Sequence, residues 1–427
     1  MTNIIEDTAF FRQRWALFAV ISLFFFLITA ATFSSLGIVL PFMIEDLKWS
    51  RLEAGTGFSL LALMVGLAAP VPAYLLRKVG PKSTYLIGGA LVVLGTVLLA
   101  TTQSLMQYYL GASILGFGYG LCASVPAIYL ITTWFPDRAG IVIGTYMTIG
   151  ATGGIAAPFI VTKAIGSLGG WPAHWWALAA AMVGLCVLAA ITIRAAPPTL
   201  PESVQEQARA QQNAGSDGRV HRSQHEWTFK QVIRTPQYYI IVFSLTLILL
   251  CSVTMNSWAF THMLALGVTT TMAATVLSAQ AVVNALSRVI GGTLANHIDP
   301  KWLLVSALAA DVVGMAALSY ADHPIGLWLF AIGDGYGFGM CYFATTMLLV
   351  NYFGAKVNPE ILGAMNFITT LAMIGPAVAG MMSESLGGFV WVFRGCALLL
   401  LLFVLVVIAM RPPRRAEGDG DAEAVPA

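Results

Sequence analysis

Long apolar stretches, separated by short polar breaks, run through the sequence from residue 15 to residue 410. A helix of about 20 mostly apolar residues crosses the hydrocarbon core of a bilayer. Six stretches of that kind lie at 15–44, 53–76, 84–102, 107–134, 139–168 and 174–193. Six more lie at 237–265, 272–296, 301–320, 324–353, 360–386 and 390–410. The pattern therefore predicts an all-α integral membrane protein with 12 transmembrane helices.

A polar segment separates the two groups of six helices. Residues 195–236 are rich in Pro, Gln, Ser, Arg and Glu, and such a composition cannot bury enough apolar surface to fold alone. We expect a linker with one short interfacial helix at about 226–233. The predicted units are an N-terminal segment 1–14, a six-helix bundle 15–194, the linker 195–236, a second bundle 237–410 and a tail 411–427.

The two predicted bundles repeat each other in sequence. GYGLC at 118–122 recurs as GFGMC at 337–341, WF at 134–135 as YF at 352–353, and AP at 157–158 as GP at 375–376. The offsets are 219, 218 and 218 residues. A duplicated six-helix unit predicts two pseudo-symmetric halves with a substrate site between them, near the middle of the membrane.

Charged residues are few and lie mainly on one side of the predicted membrane. They make up 10% of the chain, against about 25% in an average soluble protein. With both termini on one side, 17 of the 22 Lys and Arg fall on that side, and Lys48, Arg51, Lys163 and Arg394 fall on the other. Because positive residues concentrate in cytoplasmic loops, we expect a multi-pass protein of the inner (plasma) membrane with cytoplasmic termini.

The sequence lacks the usual signals of several other classes of protein. The five cysteines lie in apolar stretches without metal-ligand spacing. No lysine follows a glycine, so a phosphate-binding loop is absent, and His225-Glu226 has no second histidine for a zinc-protease motif. We therefore expect no enzyme activity, no cofactor, no metal and no nucleic-acid partner. The expected partners are the lipid bilayer, a small organic anion and a proton, and the expected state is a monomer.

Two loops resemble a signature of the major facilitator superfamily. GTLANHIDPK at 292–301 is similar to the family's G-x-L-a-D-r-x-G-r-K, and AYLLRKVGPK at 73–82 precedes it by 219 residues. Arg77 and Asn296 stand where the family usually has Asp. The resemblance implies the major facilitator fold and a gating role for Lys82, Asn296 and Lys301.

A second resemblance narrows the family. WFPDR at 134–138 leads into a predicted helix that carries Gly144, Gly150, Gly153 and Gly154. This segment is similar to the one that opens the fifth helix of monocarboxylate transporters and oxalate:formate antiporters. It implies an organic acid anion as substrate and a gating role for Arg138, while the glycines have a second reading as sites of close helix packing.

One arginine lies deep in the eighth predicted helix. Arg288 is near the middle of the membrane, where an arginine costs at least about 2.5–3.5 kcal/mol. Its planar guanidinium matches a carboxylate, and the resembling families place a substrate-binding arginine on this helix. Arg288 is therefore the predicted anion anchor, with a structural ion pair as the alternative. Asn284, four residues earlier on the same face, is predicted to hydrogen-bond the bound acid.

Three titratable residues are candidates for moving a proton with the substrate. Asp334 is the first, because it lies in a glycine-rich run near mid-membrane. Asp311, on the ninth predicted helix, is the second, and a packed polar contact is its alternative role. His262, near the outer end of the seventh helix, is the third, because histidine titrates near neutral pH. A histidine at the membrane interface without a role in transport explains its position equally well. These candidates lead us to expect proton-coupled symport.

Aromatic residues complete the predicted site. Tyr119 is predicted to bond the second oxygen of a bound carboxylate or a hydroxyl group on the substrate. Four other aromatic residues are predicted to line the cavity, although core or lipid contact is the commoner role of such residues: Tyr146, Tyr336, Tyr342 and Phe367. The antiporters carry a lysine on the eleventh helix, whereas 360–386 here contains neither Lys nor Arg. One central cation favours a monocarboxylate, either lactate- or pyruvate-like or aromatic. An organic anion antiporter and an exporter of drugs or other solutes are the alternatives.

Overall fold

The computed structural model describes residues 2–136, 138–167, 169–194, 227–294, 298–354 and 357–413. Within these ranges the regular elements are helices, and twelve long helices carry the fold. We name them α1 to α12 in chain order. The face at which α1 begins and α12 ends is called the terminal face, and the other end of the bundle is called the opposite face.

The first six helices include three that are interrupted. α1 joins Thr2–Thr29, the π-helical stretch Ala30–Ser34 and Ser35–Leu47. α2 comprises Arg51–Ala68 and the part of Val71–Ala100 before Gly80, and α3 is the remainder of Val71–Ala100. α4 joins Leu105–Cys122 and Val125–Trp134, α5 is Ala139–Ser167 and α6 is Trp171–Thr192.

The second six helices follow the same order. α7 is Pro236–Ala265, α8 is Thr270–Leu294, α9 is Pro300–Leu318 and α10 is Pro324–Phe353. α11 joins Asn358–Thr369, the 3₁₀ stretch Thr370–Ile374 and Gly375–Ser385, and α12 is Val390–Ala409. A single helical turn, Phe229–Val232, precedes α7 and corresponds to the short helix expected near the end of the linker.

The all-helical membrane architecture predicted from the sequence is confirmed. Among the described residues, ten helices are long and apolar enough to cross a membrane, and α8 and α10 are the two that fall outside that set. α8 carries Asn284 and Arg288, and α10 carries Asp334 within a run of glycines, which lowers the hydropathy of both. The helices with the weakest apolar signal are thus the ones that carry the predicted chemistry.

Two helix boundaries differ from the prediction for identifiable reasons. α1 begins at Thr2 rather than at residue 15, and Arg14 is buried there with its guanidinium 4.5 Å from the centre of the Phe135 ring. The turn between α2 and α3 is reduced to Gly80, whose φ of 80° suits glycine and strains other residues. Pro81 then begins α3, which the sequence placed from residue 84.

The repeated glycines occupy equivalent positions in the two halves. A methyl group on Gly118 of α4 would lie 2.8 Å from the backbone nitrogen of Val92 in α3. One on Gly337 of α10 would lie 2.7 Å from the Cβ atom of Asp311 in α9. Only glycine permits such close helix approach. The sequence repeat therefore corresponds to a structural repeat, in which α4 packs on α3 as α10 packs on α9.

Contacts between the two halves concentrate toward the opposite face. The carboxylate of Glu384, at the end of α11, accepts hydrogen bonds from the backbone nitrogens of Arg51 and Leu52 at the start of α2. Nearer the centre, Ser278 of α8 donates to the carbonyl of Ile155 in α5 at 2.7 Å. Toward the terminal face, Tyr342 remains exposed on α10. The halves are therefore held together at the opposite face in this conformation.

Candidate functional site

Helix α8 presents three polar side chains at intervals of four residues. These are Gln280, Asn284 and Arg288, which this spacing places along one side of the helix. The Nε atom of Arg288 donates a hydrogen bond to the Oδ1 atom of Asn284 at 3.0 Å. Asn284 thus holds the guanidinium on its Nε side.

Arg288 faces the space between the two halves. Its charge interacts with the hydroxyl groups of Tyr119, on α4 of the first half, and Tyr342, on α10 of the second. The guanidinium also lies 5.6 Å from the centre of the Phe338 ring. The interaction with Tyr119 directs the guanidinium toward the first half. In the described part of the chain, no carboxylate forms an ion pair with Arg288, and its side chain is exposed.

The predicted aromatic residues divide into two groups. Tyr119 is half-buried with its ring edge toward Phe33, while Tyr342 is 48% exposed and Phe367 is 79% exposed. Tyr119 and Tyr342 lie beside Arg288, so the structure brings together an arginine, an amide and two phenols. Such a set can bind both oxygens of a carboxylate.

Tyr146 and Tyr336, which were predicted to line the cavity, form hydrogen bonds within their own halves. Tyr146 is fully buried, stacks on Phe25 and donates its hydroxyl to the carbonyl of Ala123. Tyr336 forms a 2.9 Å hydrogen bond with Ser306 of α9 and so faces away from the first half. Both hydroxyls therefore hold helices together inside their own halves.

The residues expected to act as gates lie apart from one another. Lys82 and Arg138 are exposed near the terminal face, and Asn296 lies outside the described residues. Lys301 donates from Nζ to the carbonyls of Ile408 and Met410 at 2.9 and 2.6 Å. These carbonyls are at the end of α12, so Lys301 ties α9 to α12 within one half rather than linking the two halves.

His262 is buried in the second half, away from Arg288. Its Nε2 atom lies 3.0 Å from the carbonyl oxygen of Leu318, at the end of α9. The ring is also 5.1 Å from the ring of Phe393. These contacts give His262 a role in packing α7 against α9 and α12, and the structure does not bring it near the other proton candidates.

Asp334 and Asp311 lie side by side in the core of the second half. Both side chains are buried, Asp311 on α9 and Asp334 on α10, and their carboxyl groups interact electrostatically. Gln280 of α8 donates from Nε2 to Oδ2 of Asp334 at 2.5 Å. The sequence reasoning missed Gln280, although its spacing of four residues from Asn284 was a usable signal.

The described residues contain no group of three or more His, Cys, Asp or Glu that could hold a metal ion. The site residues are instead a guanidinium, Arg288, and two buried carboxyl groups, Asp311 and Asp334.

A sequence profile described as the Major Facilitator Superfamily matches residues 20–374 of the chain. The chain belongs to the major facilitator superfamily. It is a multi-pass membrane transporter and not an enzyme. The resemblance noted in the two glycine-containing loops is thus confirmed at the level of the superfamily.

Named relatives include transporters of different cargo. The chain is 23% identical to human monocarboxylate transporter 2 over 361 residues, which span 80% of this chain and 73% of that protein. It is 27% identical to the fujikurins efflux protein of Gibberella fujikuroi over 138 residues. That second match spans 32% of this chain and only 29% of the efflux protein.

A solved structure supports the same fold. The bacterial homologue of the human lysosomal transporter Spinster, in an inward-facing and unoccupied conformation, has a TM-score of 0.71 with this chain. The sequence identity is 15%, and the match covers 92% of this chain and 95% of that one. At this identity the likeness concerns the fold alone.

Proposed function

We propose that this transporter carries small monocarboxylate anions together with protons, by symport across the plasma membrane. The single observation that carries the proposal is Arg288, a cation held between the two halves with no paired carboxylate in the described part of the chain. A charge in the middle of a membrane is costly. A guanidinium kept there, exposed and oriented by an asparagine, is suited to receive a carboxylate from outside the protein.

The charge and lining of the site favour a monocarboxylate. Arg288 is the cation that α8 supplies, and α11 contains neither Lys nor Arg that could neutralise a second carboxylate. Tyr119 and Tyr342 offer hydroxyl groups, and Phe338 offers an apolar surface. The similarity to monocarboxylate transporter 2 supports the same class of substrate.

Alternating access follows from the way in which the halves meet. The halves 15–194 and 237–410 rock about the bound anion, and the excess of Lys and Arg beside the termini supports a cytoplasmic terminal face. With this orientation, the contacts of Glu384 and Ser278 close the outer side. The present conformation then opens inward, with Lys82 and Arg138 near its mouth.

Uptake into proteoliposomes tests the proposal. Wild-type protein should accumulate labelled lactate, pyruvate or benzoate when the outside is more acidic, and the outside medium should become more alkaline. Arg288→Lys keeps the charge but loses the planar fork, so uptake should fall at least about tenfold. Arg394→Lys is the matched control, because Arg394 stacks on Tyr320 and Trp391 at the opposite face. Anion flux that ignores the pH gradient would contradict symport.

An exporter of larger organic molecules is the second candidate, favoured by the partial match to an efflux protein. The two functions make different demands on Arg288. If the chain exports neutral compounds, the wild type should lower the drug sensitivity of cells, and Arg288→Gln should leave both that protection and acid uptake unaffected. Loss of acid uptake with unchanged drug sensitivity supports the carrier of monocarboxylates.

A further inference from the structure

Two helices of the second half approach each other closely enough to bring two carboxyl groups together. A methyl group on Gly314 of α9 would lie 2.5 Å from the backbone nitrogen of Asp334, and one on Gly337 of α10 would lie 2.7 Å from the Cβ atom of Asp311. The glycines thus set the register of α9 against α10. In that register Asp311 and Asp334 face each other inside the protein.

Most of the carboxyl oxygens in this pair have no donor. Oδ1 and Oδ2 of Asp311 and Oδ1 of Asp334 are buried without a hydrogen-bond partner among the described residues. Oδ2 of Asp334 receives the amide of Gln280. Two ionised carboxylates in contact repel each other, and a buried charge without a partner is costly. The two groups can bond to each other only when one of them holds a proton.

No cation among the described residues is placed to neutralise the pair. The titratable groups that face it are the thiols of Cys251 on α7, Cys341 on α10 and Cys396 on α12. Gln280, on α8, is the neutral polar group that touches it. A proton is therefore the positive charge that this arrangement can accept.

We propose that Asp311 and Asp334 together form the binding site of the transported proton, and that Gln280 connects this site to the anion site. The inference rests on the proposed symport and identifies where its proton is held. Gln280 and Arg288 are eight residues apart on α8, about 12 Å along the axis. When the proton leaves, the repelling carboxylates pull on Gln280, and α8 carries that change to Asn284 and Arg288.

Infrared spectroscopy tests the pair without any substrate. The wild-type protein should show a protonated-carboxyl band that shifts in heavy water, and both Asp311→Asn and Asp334→Asn should alter that same band. Asp322→Asn is the control, because Asp322 is exposed between α9 and α10. A band that neither substitution changes, or that only one changes, overturns the shared proton. Thermal melting of each variant establishes that it is folded.

Transport measurements test the role of the pair in coupling. A gradient of one pH unit can drive about tenfold accumulation in one-to-one symport, since it corresponds to about 1.36 kcal/mol. Asp311→Asn and Asp334→Asn should accumulate no acid above equilibrium, yet should exchange labelled for unlabelled acid as wild type does. Accumulation at the wild-type level in either variant overturns the inference.

The outcomes separate this inference from the proposed function. If wild-type protein carries no organic acid, the proposed function fails, while the infrared result still decides whether the aspartates share a proton. If acid exchange depends on Arg288 but accumulation survives both Asp substitutions, the proposed function stands and the pair is rejected. Gln280→Leu should leave exchange intact and shift the carboxyl band, and an unchanged band rejects its positioning role.

Discussion

Glu384 provides a direct way to shift the balance between the two conformations of the proposed alternating-access cycle. Its carboxylate, on α11 of the second half, accepts from the backbone nitrogens of Arg51 and Leu52 at 2.6 and 3.3 Å. These nitrogens begin α2 of the first half, where the partial positive charge of the helix favours an anion. The contact spans the halves and must break when the opposite face opens. Glu384→Ala should therefore favour the conformation that is open at that face.

The size of the effect can be estimated from the hydrogen bonds. A hydrogen bond to a charged group contributes about 1.5–3 kcal/mol, but Glu384 is exposed, and solvent screening reduces the contribution to about 1 kcal/mol. A free-energy change of that size alters the ratio of the two conformations about fivefold. The substitution should not change the affinity of Arg288 for an anion within one conformation.

Distances between spin labels on the opposite face measure this ratio. Labels at Lys48→Cys and Ser385→Cys, in a background without the native cysteines, report the separation of α1 from α11. Glu384→Ala should raise the population with the longer distance. Glu53→Ala is the matched control, since Glu53 bonds the backbone nitrogen of Ser50 at the same helix start but within one half. An unchanged distribution, or an equal change in both variants, would refute the reasoning.

Three further predictions test the fold and the site. Gly118→Ala should lower the melting temperature, because overpacking costs about 1–3 kcal/mol. Gly144→Ala is the control and should be neutral or stabilising, since no atom lies within 4 Å of the added methyl group. Equal melting temperatures in the two variants would contradict this packing. Lys301→Ala should destabilise the folded protein by about 1–2 kcal/mol in a melting assay and should not weaken acid binding. Weaker acid binding would instead support the predicted gating role of Lys301. Tyr342→Phe should weaken acid binding in a titration while Tyr336→Phe should not; the reverse order would reassign the two hydroxyls.

The helices and the repeat could be predicted because each depends on local pattern. Apolar stretches of membrane-spanning length predict helices whatever their neighbours. The recurrence of GYGLC as GFGMC corresponds to the same close packing of α4 on α3 and α10 on α9. The polar residues of α8 also follow from sequence, since a spacing of four fixes one face of a helix.

The rotation of the other helices could not be predicted in the same way. Tyr146 and Tyr336 lie on helices without a distinct apolar face, so no periodicity indicates which side turns toward the cavity. The contact of Asp311 with Asp334 depends on the register of α9 against α10, which close approaches at Gly314 and Gly337 determine. From the sequence alone, Asp311 and Asp334 could be identified only as two separate candidates.

The central claim is that Arg288 binds the carboxylate of the substrate, and a titration of purified protein tests it most directly. The account predicts that wild type binds a monocarboxylate acid but not its uncharged amide. It also predicts that Arg288→Lys weakens acid binding at least about tenfold, or about 1.4 kcal/mol, while Arg394→Lys binds as wild type does. Equal affinity for the acid in wild type and Arg288→Lys, or equal binding of acid and amide by wild type, would contradict it.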